Sequence, residues 1–124
     1  MKKLLIISAF VLAGCSTFGS ASANEPVSKN GMLLDKAGMT LYTFDKDTAN
    51  SGKSACNGPC AANWPPLAAD KNASAKGEYT VITRDDGTKQ WAHEGKPLYH
   101  YKSDQKPGDR TGDNFKNMWH AAKD

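Results

Sequence analysis

The stretch Gly38–Asp47, GMTLYTFDKD, returns as Gly95–Asp104, GKPLYHYKSD. Both copies read G-x-x-L-Y-x-[F/Y]-x-x-D, and Tyr42 and Tyr99 lie 57 positions apart. Side chains alternate along a strand, so Tyr42 and Phe44 share one face and Tyr99 and Tyr101 share its counterpart. Leu41 and Leu98 point the other way. Apolar side chains on both sides of a strand call for a sheet covered on both faces. The expected fold is all-β: a small sandwich or barrel-like domain built from two related β-hairpin repeats. Asp47 and Asp104 fall just past the strand ends, where a carboxylate commonly accepts backbone N–H bonds and fixes a turn. The motif therefore reads as a packing unit, with aromatic plugs and a turn clasp.

Working outward, "EYTVITRDDGTKQWAH" (Glu78 to His93) carries the strongest strand signal, with β-formers from Tyr79 to Thr83. Asp86-Gly87 suits a two-residue type I′ hairpin turn, which would set Ile82 opposite Trp91 and Val81 opposite Ala92. A second turn at Glu94-Gly95 returns the chain so that Trp91 faces Leu98. Ile82, Trp91 and Leu98 are then expected to line one side of a meander. Met32-Leu33-Leu34, a turn near Lys36 to Gly38, and Met39 to Phe44 read as the matching hairpin, with Leu34 opposite Leu41. Trp64 closes the first copy and Trp119 the second. The segment Phe115 to Ala122 reads as a strand or one short turn of helix. Repeat one spans about 31–67 and repeat two about 88–120, within a single domain at 31–124.

The N-terminus carries an address. Lys2 and Lys3 precede an apolar run from Leu4 to Gly14, too short for the ~20 apolar residues that span a bilayer. It ends in Leu12-Ala13-Gly14-Cys15, which resembles the lipobox of bacterial lipoproteins. That resemblance implies a signal peptide at 1–14, acyl chains such as palmitate on Cys15, and anchoring rather than spanning. Ser16 follows the cysteine where Asp commonly retains such proteins at the inner membrane, which points to the outer membrane, facing the periplasm. A second reading places cleavage after Ala21-Ser22-Ala23 and releases a soluble periplasmic or secreted chain. The segment 15–30, rich in Ser, Ala, Asn and Gly, reads as a flexible tether.

With Cys15 acylated or removed, Cys56 and Cys60 remain as an even pair in an oxidising compartment. That parity and address predict a disulfide. Asn57-Gly58-Pro59 between them favours a tight turn. Removing Lys2 and Lys3 from the 16 basic residues leaves 14 against 13 acidic ones, a net charge of +1. No basic stripe points to nucleic acid. The expected partners are the membrane, through the anchor, and an envelope ligand or protein that the sequence does not name.

The tandem Tyr42-x-Phe44-x-x-Asp47 and Tyr99-x-Tyr101-x-x-Asp104, behind a lipobox, resemble the secreted-repeat lipoproteins of bacteria. That family takes its name from a Y-x-[F/W/Y]-x-x-D motif. Cys56-x-x-x-Cys60-Ala61, with Trp64-Pro65-Pro66-Leu67 after it, is similar to the stretch following the family's first repeat. The resemblance implies an exported envelope protein of unassigned biochemical role.

The remaining chemistry is sparse. The C-x-x-x-C spacing departs from the C-x-x-C of thioredoxin-like motifs, and Ala61 stands where c-type haem attachment needs histidine. Soft ligands suit Cu(I), so the alternative function is a redox or copper-handling protein using Cys56 and Cys60 with one of His93, His100 or His120. No G-x-S-x-G or H-E-x-x-H pattern supports hydrolysis. Trp64, Trp91, Trp119 and the four tyrosines suit a glycan platform or a core, and a domain this small needs them as core. The leading expectation is a non-enzymatic, membrane-anchored envelope lipoprotein with a binding or structural role, no metal and no cofactor.

Overall fold

The computed structural model describes residues 24–124. The signal segment, the lipobox with Cys15 and the Ala21–Ala23 site lie outside the described residues. Eight strands and one short helix follow in order: β1 (Val27–Lys29), β2 (Met32–Leu34), β3 (Tyr42–Phe44), α1 (Pro59–Asn63), β4 (Ala68–Ala69), β5 (Tyr79–Thr83), β6 (Lys89–His93), β7 (Lys96–Pro97) and β8 (Trp119–Ala121). The fold is all-β. Its strands form small antiparallel sheets, β1-β2, β3-β8 and β4-β6-β5 with β7 also on β6, rather than a closed barrel.

A pseudo-twofold relation organises these short pieces. At its centre the two motif strands run antiparallel, with Tyr42 N–H donating to Tyr99 O at 2.8 Å and Tyr99 N–H to Tyr42 O at 2.9 Å. On either side, three chain segments meet in a closed ring of backbone bonds. Leu33 N–H donates to Ala122 O (3.1 Å), Ala122 N–H to Leu41 O (2.8 Å) and Leu41 N–H to Leu33 O (3.1 Å). Its counterpart runs Trp91 to Leu67 (2.9 Å), Leu67 to Leu98 (2.9 Å) and Leu98 to Trp91 (3.0 Å). Each ring satisfies the donors and acceptors of buried backbone that no long ladder covers. The six residues of the two rings are also the six buried members of one core cluster. Burial of apolar side chains and closure of the backbone thus occur at the same positions.

The alternation expected for the motif strands holds. Leu41 and Leu98 enter this first cluster, while Tyr42 and Tyr99 enter a second with Cys56, Trp64, Trp119 and Ala121.

Two hairpin registers differ from the sequence reading by one residue. Val81, not Ile82, lies opposite Trp91, and Ile82 faces Gln90. The cause is the turn. Arg84 N–H donates to Thr88 O at 2.7 Å, so three residues, Asp85 to Gly87, form the loop. Gly87 takes a positive φ of 90° while Asp86 does not, unlike a type I′ turn. Asp86 Oδ1 accepts Thr88 N–H at 3.0 Å and the Thr88 hydroxyl at 2.6 Å, holding that geometry. The first hairpin slips for the same reason. Asp35 Oδ1 accepts the N–H groups of Ala37 and Met39, both at 2.9 Å, and Leu33 rather than Leu34 pairs with Leu41. A one-residue shift exchanges the two faces of a strand, and here it brings Val81 against the core that holds Trp91. The Glu94-Gly95 turn has two residues, as expected, both at positive φ, and Leu98 does pair with Trp91.

One further difference concerns the N-terminal end. Val27–Lys29, inside the segment read as tether, forms β1 against β2, so the folded body begins before Gly31. Phe115 to Ala122 resolves into turns followed by β8, with Trp119 opposite Phe44.

Candidate functional site

The repeat motif crosses over itself. The Tyr99 hydroxyl donates to Asp47 Oδ2 at 2.6 Å, and the Tyr42 hydroxyl donates to Asp104 Oδ2 at 2.6 Å. Each copy therefore supplies the aspartate that its partner's tyrosine needs. Both tyrosines are fully buried. Burial first, and the adjacent aspartate second, raise both phenols above their ordinary value. The second carboxylate oxygen closes a loop in each case. Asp47 Oδ1 accepts Ala55 N–H at 2.6 Å, and Asp104 Oδ1 accepts the Thr111 N–H at 3.0 Å and its hydroxyl at 2.5 Å.

Beyond these bonds the two ends diverge. At the Asp47 end the Tyr99 hydroxyl lies 2.6 Å from Ser54 Oγ, which accepts Arg84 Nη1 at 3.0 Å. Arg84 is only 5 % exposed. It also donates to Gln90 Oε1 (2.7 Å), the Cys56 carbonyl (2.6 Å) and Asn57 Oδ1 (3.3 Å), and Gln90 passes the chain on to Leu98 O at 2.7 Å. Burial raises the Asp47 carboxyl above 3.8, against the opposing pull of Tyr99, Ala55 and Arg84. At the Asp104 end, among the described residues, no cation donates to the Asp104 carboxylate or the Tyr42 hydroxyl. Gly112 N–H donates to the Tyr42 hydroxyl at 3.2 Å instead. A Cβ at Gly112 would stand 2.6 Å from the Trp64 ring, so only glycine lets the backbone come this close.

Cys56 and Cys60 are joined in a disulfide. Gly58 at φ 58° and Pro59 at the start of α1 turn the chain between them. Cys56 is fully buried beneath the Arg84 network, while Cys60 borders a shallow depression of about 350 Å³. That depression runs beside a column of four stacked rings. Phe44 lies on Trp119 (4.1 Å, 11°), Trp119 on Trp64 (3.8 Å, 1°), and Trp64 on Tyr101 (4.1 Å, 21°). The tryptophans that close each copy close on each other. Their faces are occupied by neighbouring rings, the arrangement of a core rather than of a sugar platform.

The model of a family described as a secreted repeat of unknown function matches residues 27–68 and 80–123. The chain belongs to this family. Its two matched segments are the two halves of the pseudo-twofold, so each copy supplies one tryptophan of the Trp64–Trp119 stack and one half of each Tyr–Asp exchange. No curated protein and no solved structure matches the chain.

The histidines considered as partners for the two cysteines each meet a carboxylate: His93 with Glu78 (2.6 Å), His100 with Asp35 (2.8 Å) and His120 with Asp45 (2.8 Å). Sequence reasoning did not anticipate the Arg84–Ser54–Gln90 network. A lone arginine beside a turn is ordinarily solvated, and only the one-residue longer loop brings Arg84 to the strand end.

Proposed function

We propose that this secreted-repeat protein is a lipid-anchored envelope protein, held through Cys15, whose folded body acts by binding or structural contact rather than by catalysis. One observation carries the second half of the reading. The polar groups of the repeated motif are spent on one another, each tyrosine on the other copy's aspartate, inside the protein. A catalytic carboxylate pair facing a shared cleft would instead keep its oxygens for substrate. Burial of Cys56 supports a structural staple, since buried cysteines are inert in comparison with exposed, electropositive ones.

The anchoring half rests on the Leu12–Cys15 motif, with the outer membrane indicated by Ser16. Among the described residues no helix is long and apolar enough to cross a membrane. The test is labelled-palmitate incorporation with membrane fractionation of wild type and Cys15→Ala. Label and protein together in the outer-membrane fraction, both lost in the variant, are expected. An unlabelled, soluble wild-type chain beginning at Asn24 overturns the anchor.

A further inference from the structure

A separate polar cluster gathers where β5 and β6 meet the Glu94-Gly95 turn. Tyr79 lies opposite His93 across these strands, and Glu94 N–H donates to Glu78 O at 2.9 Å. This backbone bond brings the start of one strand against the end of the other. As a result, one ligand atom from each of Glu78, His93 and Glu94 lies within 4.8 Å of the others. The His93 side chain is only 6 % exposed. Although its ring is packed inside, its Nε2 reaches two exposed carboxylates, 2.6 Å from Glu78 Oε1 and 3.9 Å from Asp124 Oδ1. Two carboxylates, Glu78 and Asp124, thus flank Nε2, and a third, Glu94, belongs to the same cluster. A neighbouring pocket of about 380 Å³, lined in part by Glu78 and Asp124, leads to this corner from solvent. Its lysine, Lys76, pairs with Glu25 at 3.3 Å, whereas Glu78 and Asp124 face His93.

We propose that His93, Glu78 and Glu94 form a binding site for a divalent first-row transition-metal ion, with Asp124 as a further oxygen donor. One imidazole with carboxylates is a donor set that suits zinc and its neighbours, whereas calcium and magnesium take oxygen ligands alone. The buried ring fixes the nitrogen, and packing rather than a loop holds it in place. Glu78 and Glu94 are exposed, so their carboxylates can swing the short distance that turns a direct hydrogen bond into two bonds of ~2.0–2.2 Å to a shared ion. Binding needs neutral imidazole, so the ion takes the place of the proton between His93 and Glu78. The site is distinct from the cysteines and from the repeat motif, and it goes beyond the binding or structural reading by naming a ligand class.

Zinc provides the probe. The full chain, purified in detergent and stripped with chelator, is titrated with zinc chloride by calorimetry, and retained metal is counted by mass spectrometry. One ion per chain is expected, with affinity lowered at least about tenfold in a Glu78→Gln, Glu94→Gln double variant. Both substitutions are exposed, so the fold survives where His93→Ala, in the packed interior, risks losing it. Asp109→Asn, which removes a carboxylate paired with Lys106 elsewhere, should leave zinc binding unchanged. Failure to retain zinc, or equal affinity in the double variant, overturns the proposal and leaves Glu78–His93 as a hydrogen bond only.

Discussion

The Tyr99–Asp47 and Tyr42–Asp104 ends of the molecule carry the same residue types, the same 2.6 Å hydrogen bond and the same burial of the phenol. They differ in what stands behind the pair. At the Asp47 end a buried guanidinium, a serine and a disulfide-bonded cysteine's carbonyl complete the network. At the Asp104 end a glycine N–H and a threonine do so. A duplicated motif can thus keep one packing solution while its two surroundings specialise. The shared part is the crossed exchange, which ties the two halves together.

The largest effect should be common to both ends. Tyr42→Ala and Tyr99→Ala are each expected to cost about 3–5 kcal/mol, as for other fully buried aromatic side chains, in urea unfolding of the folded domain. Unequal losses would break the equivalence of the two copies. A near-neutral result at either position would reverse the packing reading of the motif.

A smaller, one-sided effect sharpens the comparison. Arg84→Met should cost about 2–4 kcal/mol, because Ser54, Gln90 and the Cys56 carbonyl lose a buried donor. Combined with Tyr99→Phe its effect should be non-additive, and with Tyr42→Phe additive within ~0.5 kcal/mol. Equal coupling to both tyrosines would mean that the network is not confined to the Asp47 end.

The smallest effect is a slope. Burial raises Asp47 above 3.8, so the folded state holds that proton to higher pH than the unfolded chain does. Stability from this group is therefore greatest below pH 3.8 and falls as pH rises from there through the raised value. Asp47→Asn should flatten that part of the stability profile. In alkali the two raised tyrosines act alike: above pH 10.0, where unfolded phenols ionise, stability should fall as pH rises. A profile flat across both windows would contradict burial of these groups.

Much of the architecture is legible in the sequence. The recurrence of Tyr42 and Tyr99, the opposite orientation of Leu41 and Leu98, and the cysteine parity depend on spacing and address alone. The hairpin registers are not, because Asp86-Gly87 serves a two-residue and a three-residue loop equally well in sequence. The choice lies in side-chain bonds that Asp86 accepts from the Thr88 N–H and Asp35 accepts from the Met39 N–H. The approach of Glu78 to His93 and Glu94 was hidden for a related reason, since strand pairing, not chain proximity, brings position 78 to position 94.

The sequence by itself determined the two-copy plan, the alternation of faces, and the pairing of Cys56 with Cys60, because these follow from local periodicity and from the even pair of cysteines within the folded body. Only the tertiary structure decided that the copies trade partners, Tyr42 to Asp104 and Tyr99 to Asp47, and that Trp64 and Trp119 stack face to face at 3.8 Å. The reason is geometric. Two short hairpins leave tyrosine hydroxyls, strand-end carboxylates and indole faces unsatisfied, and an antiparallel meeting at Tyr42 and Tyr99 lets each half cover what the other exposes.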